Sequence, residues 1–121
     1  MVLTDPVSVR IVDGLSDHEG RLEVYYNGEW GTVCHSGFDR LDGDIACRQL
    51  GYNGSAAVYT HGGGTDRVWL SGLDCEHFRT SLDQCDHSGW LSGCPHDNDV
   101  GLICAVTDLC NCIMNYMKYF L

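Results

Sequence analysis

Positive charge is scarce in this chain, which holds 7 Lys and Arg against 17 Asp and Glu in 121 residues. The formal net charge of −10 repels the phosphates of nucleic acids and the anionic face of a bilayer. The basic residues are scattered along the sequence, and only Arg10 and Arg21 are expected to be neighbours, on adjacent strands. Salt screens such isolated charges from a distant acidic polymer. We therefore expect neither nucleic acid nor a polyanion as partner, but a protein contact.

Long apolar runs are also missing. No window reaches the length of about 18 consecutive apolar residues that spans a bilayer, so we expect no membrane span in this chain. The first ten residues lack the basic leader and apolar run of a signal peptide, and we interpret the chain as a mature fragment with an added Met1. The length is that of one domain.

Motifs of catalysis are absent as well. The chain contains no G-x-S-x-G nucleophile elbow, no phosphate-binding loop and no H-E-x-x-H pair. The sequence therefore favours a binding module over an enzyme.

Cysteine, by contrast, is abundant, with 8 residues in a chain of 121. This density is typical of disulfide-stapled domains outside the cell, because a reducing cytosol would leave the thiols open. Six of them fall in the body of the chain: Cys34, Cys47, Cys75, Cys85, Cys94 and Cys104. Six cysteines allow many connectivities, and the sequence alone does not choose among them.

Histidines lie among these cysteines and raise the question of zinc. No C-x2-C or H-x3-H pair is present to build a tetrahedral site, so we expect ordinary surface histidines. The histidines in question are His35, His61, His77, His87 and His96.

Apolar and polar residues alternate over residues 7–12 and again over 21–26, which predicts two half-buried strands separated by a loop. Asn27-Gly28 then predicts a tight turn, because both residues tolerate positive φ, so residues 23–34 are predicted to form a β-hairpin. Residues 56–70 read as strand, glycine-rich turn and strand. Residues 100–104 form a closing apolar strand that can pair with the opening one.

Between residues 41 and 50 the apolar period changes to that of a helix, with Asp42 or Asp44 as the N-terminal cap and Gly51 as the end. The tail after Cys104 has apolar residues near helical spacing, so an amphipathic helix can form there. The core candidates are Tyr25, Trp30, Leu50 and Trp69.

Several segments, taken in order and with six cysteines in register, resemble the scavenger receptor cysteine-rich family. They read "VRIVDG", "GRLEVYYNGEWGTVC", "ACRQLGY", "VWLSGLDC", "SLDQC" and "DVGLIC". The resemblance covers residues 7–104 and leaves residues 105–121 as a tail of uncertain structure. The chain lacks the extra cysteine pair of the eight-cysteine branch, so it is similar to the six-cysteine, group A type.

The resemblance implies an α+β fold in which a curved antiparallel β-sheet cradles one α-helix, stapled by disulfides. It also implies the pairs Cys34–Cys94, Cys47–Cys104 and Cys75–Cys85. With Cys47 on the helix and Cys104 on the last strand, the second pair would pin the helix to the sheet.

A surface calcium site is a further feature that the resemblance implies, built from an acidic pair after the first bridge cysteine and a glutamate before the last. Here His35 and Ser36 follow Cys34, and Asn98 stands at the position of the glutamate, so few of the hard oxygen ligands that calcium prefers remain. The residues left for a weak cation site are Asp39, Asp42, Asp97, Asn98 and Asp99. The alternative is that Asp42 or Asp44 caps the helix, Asp99 makes a turn bond and the others are solvated.

The family resemblance implies an extracellular recognition module that binds a protein or a microbial surface. We place the expected contact on the acidic face, with Asp97 and Asp99 as contacts and Trp90 as an aromatic anchor, unless Trp90 is buried in the core. A second hypothesis is an accessory domain of a secreted protease or oxidase, because this type of domain is found appended to such enzymes.

Two cysteines and one asparagine complete the candidate residues. Cys110 and Cys112 are separated by one residue and would form a strained ring, so they either bridge to another chain, in a dimerisation or adhesion role, or remain free thiols. Asn53-Gly54-Ser55 is an N-glycosylation sequon in a loop expected to be exposed.

Overall fold

A six-stranded sheet packed against one helix forms the fold of the described part of the chain. The computed structural model describes residues 7–64, 67–72, 74–75, 81–85 and 94–106. The elements are β1 (Ser8–Ser16), β2 (Glu19–Tyr26), β3 (Glu29–Val33), α1 (Arg40–Gln49), β4 (Ser55–Thr60), β5 (Arg67–Leu70) and β6 (Val100–Cys104), with short 3-10 turns at Leu82–Gln84 and His96–Asn98.

The strand order is β4-β6-β2-β3-β5, with β1 on the remaining edge of β2. Each pair is antiparallel except β3 with β5, which is parallel, so the sheet is mixed rather than wholly antiparallel. The prediction that the closing strand pairs with the opening one is wrong. Arg21 on β2 lies between Val12 of β1 and Gly101 of β6, so that β2 separates the two strands.

The first strand is longer than the alternation predicted. β1 continues to Ser16 and meets Glu19 of β2, with an irregularity after Val12 where Asp13 has φ of 60°. The predicted turn between β2 and β3 is confirmed, since Asn27 and Gly28 have φ of 52° and 84°. Two successive positive φ angles match the twist of a two-residue hairpin.

The helix begins at Arg40, one residue before the predicted start, but its N-cap lies about one turn earlier than predicted. Its N-cap is Asp39, not Asp42 or Asp44, and Asp39 and Asp42 form a reciprocal capping box. Asp42 occupies the third helical position, from which its carboxylate reaches back to the Asp39 backbone N–H. Gly51, with φ of +97°, follows the C-cap Leu50, so the predicted end is confirmed.

The core lies between the helix and the inner face of the sheet. Its fully buried members include Leu22, Val24, Val33, Ile45 and Leu102. Trp69 is buried as predicted, and Leu50 packs partly against this cluster. Two core predictions are wrong, because Tyr25 is 42% exposed and Trp30 is only half-buried.

Three disulfides hold these elements together, in the pairing that the family resemblance implies. Cys47–Cys104 joins the helix to β6, Cys34–Cys94 joins the end of β3 to the segment before the second 3-10 turn, and Cys75–Cys85 closes a short loop. The first two connect cysteines 57 and 60 residues apart in sequence. The helix and the sheet are therefore fixed to each other covalently as well as by packing.

No helix in the part of the chain that the structure describes is long and apolar enough to cross a membrane.

Candidate functional site on the outer face of the sheet

Strand β2 directs charged and aromatic side chains away from the core. Leu22 and Val24 are fully buried in the core, so the residues that alternate with them lie on the opposite face of the sheet. These residues are Arg21, Glu23 and Tyr25. Glu23 lies opposite Arg10 of β1, and Tyr25 lies opposite Trp30 of β3. The strand register thus collects arginine, glutamate and aromatic side chains on the outer face.

Glu23 joins the two arginines that the sequence predicted as neighbours. Its Oε1 accepts hydrogen bonds from Arg10 Nε at 2.9 Å and Arg10 Nη2 at 2.6 Å, and its Oε2 accepts one from Arg21 Nε at 3.1 Å. Arg21 also donates to Asp13 Oδ2 at 2.7 Å and to the Gly62 carbonyl at 3.2 Å. The side chains of Arg21 and Glu23 are 8% and 7% exposed, so this ion pair is largely shielded from water.

Arg21 keeps its charge in this setting. Burial acts to lower the pKa of its guanidinium, but hydrogen bonds and charge from Asp13 and Glu23 outweigh burial and raise the pKa above its ordinary value. The Arg10–Glu23–Arg21 arrangement therefore cross-links β1 and β2 through hydrogen bonds to one carboxylate.

Arg10 is the exposed end of this network. Its guanidinium carbon lies 4.1 Å from the ring centre of Trp30, and the Trp30 ring lies 5.1 Å from that of Tyr25. The side chain of Arg10 is 42% exposed. A guanidinium over an indole is held by cation–π attraction, which orders a long side chain at the surface.

A second arginine repeats this pattern on the neighbouring strands. Arg67 Nε donates to Glu29 Oε2 at 2.6 Å, and the Arg67 guanidinium lies 5.6 Å from the centre of the Trp69 ring. Trp69 Nε1 donates to the carbonyl of Glu29 at 3.0 Å. Arg67 and Glu29 are both about half exposed, with side-chain exposures of 50% and 54%.

These side chains enclose a shallow groove of about 470 Å³, lined by Arg10, Glu29, Trp30 and Arg67. We call it the arginine–tryptophan groove. Tryptophan, tyrosine and arginine are the residues that most often dominate the energy of protein contacts. Each arginine of the groove is paired with a glutamate and stacked on an aromatic ring, so the groove is pre-ordered and close to neutral in charge.

The acidic residues predicted to bind calcium have other roles in the structure. Asp39 and Asp42 cap the helix, and Asp42 Oδ1 accepts a further hydrogen bond from the Cys75 backbone N–H at 2.8 Å. Burial raises the pKa of Asp42 from 3.8 to about 6, since the loss of water outweighs the backbone N–H groups of Asp39 and Cys75, which lower it. Asp99 is fully buried and accepts from the Gly64 N–H at 2.9 Å.

The other predicted ligands do not join these residues in one cluster. Asp97 is exposed on the second 3-10 turn, and Asn98 Nδ2 donates to Ser36 Oγ at 3.3 Å. Among the residues described, no group of three or more His, Cys, Asp and Glu side chains is placed to hold a metal ion. Calcium binding stays a prediction, because the described residues expected as its ligands do not form a metal-binding cluster.

The described histidines bond to neighbouring protein groups. His96 Nδ1 lies 3.0 Å from Asp99 Oδ1, and His61 Nδ1 lies 2.9 Å from the Gly62 carbonyl. The backbone N–H of His35 donates to the backbone carbonyl of Asn98 at 2.8 Å. His77 and His87 lie outside the described residues.

Several other predictions also fall on residues that the structure does not describe. They concern Trp90 as an anchor and Cys110 and Cys112 in the tail beyond residue 106. A dimer through that tail stays a prediction. Asn53 is described and is exposed in the turn between α1 and β4.

The sequence does not reveal the groove, because its lining residues come from strands far apart in the chain. From the sequence, Tyr25 and Trp30 are predicted in the core and Arg67 is one of several scattered basic residues. The alternation in "RLEVYY" indicates that Tyr25 is on the outer face. Leu22 and Val24 are the apolar residues of the inner face, and Tyr25 lies on the same face as Glu23. The hairpin at Asn27-Gly28 then sets Trp30 opposite Tyr25.

The sheet, the single helix and the three bridges define a disulfide-stapled domain of the kind found outside the cell. The scavenger receptor cysteine-rich domain profile matches residues 12–105. This chain therefore belongs to the scavenger receptor cysteine-rich domain family, whose members are extracellular and disulfide-stabilised.

Curated relatives from two kinds of protein support this assignment. The chain is 44% identical over 96 residues to lysyl oxidase homolog 4 of Bos taurus, which covers 75% of this chain and 12% of that protein. It is 40% identical over 98 residues to macrophage receptor MARCO of Mus musculus, which covers 80% of this chain and 18% of that protein. The chain thus spans less than a fifth of the length of these relatives.

Solved structures show the same fold. The third domain of this family in murine neurotrypsin superposes with a TM-score of 0.72 at 34% identity, covering 81% of this chain and 95% of that one. The dimeric form of the domain from mouse MARCO superposes with a TM-score of 0.69 at 38% identity, covering 80% and 94%.

Proposed function

We propose that this domain is an extracellular recognition module that binds a protein ligand in the arginine–tryptophan groove. The observation that carries the proposal is the stacking of Arg10 on Trp30 within a groove formed by three strands of the sheet. A pre-ordered aromatic and guanidinium surface loses little side-chain freedom when it binds, which favours affinity.

The charge pattern of the groove supports a protein as the ligand. Arg10 bonds to Glu23 through Nε and Nη2, so the N–H groups of Nη1 can meet a carboxylate or a carbonyl of a partner. Glu29 offers a carboxylate next to Arg67 at the opposite wall. A surface with both charges and an aromatic floor suits a protein segment of mixed composition better than a uniformly charged polymer.

Catalysis has no part in this proposal. The chain has none of the catalytic motifs sought in its sequence, and the groove lacks a nucleophile beside a base among its four lining residues. The domain on its own is expected to show no turnover.

The test is a binding screen with the oxidised domain, biotinylated and presented on streptavidin, against a panel of purified secreted and cell-surface ectodomains and killed bacteria. We expect binding to at least one protein and a loss of about tenfold or more in affinity for Trp30→Ala and Arg10→Ala, as for residues at the centre of a contact. The matched control is Arg48→Ala, since Arg48 is an exposed arginine on α1.

Three outcomes would contradict the proposal. The first is that no ectodomain binds. The second is that binding occurs and the groove variants bind as the wild type does, which would place the contact elsewhere. The third is binding to the bacteria alone, which would replace the protein ligand by a microbial surface.

A second candidate function is supported by the similarity to lysyl oxidase homolog 4, in which a domain of this family is joined to an oxidase. In that case the groove would present a substrate protein to a catalytic domain in the same chain. Deleting the domain from its parent protein would then raise KM for a protein substrate, whereas the turnover of a small amine substrate would stay the same.

A further inference from the structure

The sequon Asn53-Gly54-Ser55 joins the helix α1 to strand β4, and its two ends differ in exposure. Asn53 is exposed, whereas Ser55 is only 3% exposed. It is the only N-x-S/T sequence in the chain. The residue that would carry a glycan is thus in solvent, and the hydroxyl that completes the sequon is inside the protein.

The hydroxyl of Ser55 is held by the helix. Ser55 Oγ donates to Asp44 Oδ1 at 2.7 Å and lies 3.3 Å from the carbonyl of Arg40. The backbone N–H of Ser55 donates to the same Asp44 oxygen at 2.7 Å. The single proton of this hydroxyl is therefore used within the protein, and burial keeps the group out of reach of an enzyme while the helix is in place.

The backbone of the sequon is held by the last strand. The carbonyl of Gly54 accepts a hydrogen bond from the Ala105 N–H at 2.7 Å, and Ser55 lies opposite Cys104 in the β4–β6 pairing. Cys104 is bonded in turn to Cys47 on the helix. Closure of this bridge locks both strands against α1.

N-glycosylation requires asparagine and a hydroxyl two residues later, which means that the transferase must reach both groups. We propose that Asn53 is an N-glycosylation site that accepts its glycan only before β4 pairs with β6, and that folding then closes the site to the enzyme. Because Asn53 itself stays exposed, the folded domain accommodates the finished glycan in solvent.

The order of the chain provides time for this modification. The partners that cover the sequon from the sheet side, Cys104 and Ala105, lie about 50 residues after Ser55. At synthesis rates of roughly 5–20 residues per second, several seconds pass between the appearance of the sequon and that of its covering strand.

The test compares the full chain in two states with purified oligosaccharyltransferase and a lipid-linked oligosaccharide donor. We expect the reduced and alkylated chain to gain one endoglycosidase-sensitive step in mass, and the oxidised chain to react at least tenfold more slowly. Equal rates in the two states would overturn the proposed closure, and no reaction of the reduced chain would overturn the site itself. Asn53→Gln is the matched control and must abolish the reaction in both states.

A second measurement tests whether the glycan is compatible with the fold. For this measurement the chain is glycosylated in its reduced but unalkylated form and then oxidised, so that the three disulfides can close. Its melting temperature and near-ultraviolet circular dichroism are compared with those of the unmodified oxidised domain. We expect the same spectrum and a melting temperature that is not lowered. Failure to regain the spectrum would overturn the inference that the glycan lies in solvent.

Discussion

Asp39 and Asp42 cap each other at the start of the helix. Asp39 Oδ1 accepts a hydrogen bond from the Asp42 N–H at 3.0 Å, and Asp42 Oδ2 accepts one from the Asp39 N–H at 2.9 Å. The second oxygen of Asp42 accepts from the N–H of Cys75, so the same carboxylate joins the helix to the loop closed by Cys75–Cys85. The Asp42 side chain is fully buried, so the free energy of unfolding depends on its protonation state.

The first prediction is a pH dependence due to Asp42. Burial raises the pKa of its carboxyl to about 6 in the folded state, against 3.8 ordinarily. The folded chain therefore holds a proton between pH 4 and 6 that the unfolded chain has released, so the stability from this group is complete below pH 4 and is lost as the pH rises through 6. The difference in pKa corresponds to about 3 kcal/mol.

Urea unfolding of the oxidised domain at several pH values between 4 and 7 measures this effect. The free energy of unfolding of the wild type should fall relative to that of Asp42→Asn as the pH rises, because the amide does not titrate. Asp17→Asn, at an exposed position, serves as the control. Parallel pH profiles for the wild type and Asp42→Asn would show that the prediction is wrong.

The second prediction compares two ion pairs on the outer face. Glu23→Gln removes the charge that faces the buried Arg21, and we expect it to lower the free energy of unfolding by about 3 kcal/mol. Glu29→Gln breaks the exposed pair with Arg67 and should cost less than about 1 kcal/mol. Denaturant titration of both variants gives the comparison, and equal losses would contradict the burial argument.

The third prediction concerns Gly43 on the buried face of α1. Alanine is usually better than glycine in a helix by about 1 kcal/mol. Here a Cβ at Gly43 would lie 2.9 Å from Val58 Cγ2 and 3.1 Å from Leu102 Cδ2, so the helix cannot stay as close to the sheet. We expect Gly43→Ala to destabilise the domain by about 1–3 kcal/mol, as overpacking does.

The control for this substitution is Arg48→Ala on the exposed side of the same helix, which should change the free energy of unfolding by less than about 0.5 kcal/mol. A melting temperature for Gly43→Ala above that of the wild type would mean that helix propensity outweighs packing at this position.

The fourth prediction ranks two disulfides. Cys47–Cys104 closes a separation of 57 residues and Cys75–Cys85 one of 10, so the chain-entropy estimate gives about 4 and about 3 kcal/mol. Replacing Cys47 and Cys104 by alanine should therefore lower the melting temperature more than replacing Cys75 and Cys85. The reverse order in differential scanning calorimetry would contradict the ranking.

Much of the fold could be predicted from the sequence because the patterns that indicate its turns, strands and helix are local. The Asn27-Gly28 turn, the alternation in β2 and the helix ending before Gly51 each depend on residues close together in the chain. The cap was misplaced by a turn because three aspartates stand near the helix start, and the one that caps is chosen by the backbone conformation at residue 39.

The arginine–tryptophan groove could not be predicted from the sequence in the same way. Arg10, Glu29, Trp30 and Arg67 come from three strands, and the parallel pairing of β3 with β5 brings Arg67 to this face across an interval of more than thirty residues. No local pattern encodes that pairing.

The sequence by itself determined the compartment, the family and the local elements, since cysteine density, strand alternation and turn residues act through neighbours along the chain. Tertiary structure alone decided which carboxylates are buried, which arginines share Glu23 and where the sequon hydroxyl is covered. These depend on strand order and register, which are set by the packing of the whole sheet against the helix and not by any single segment.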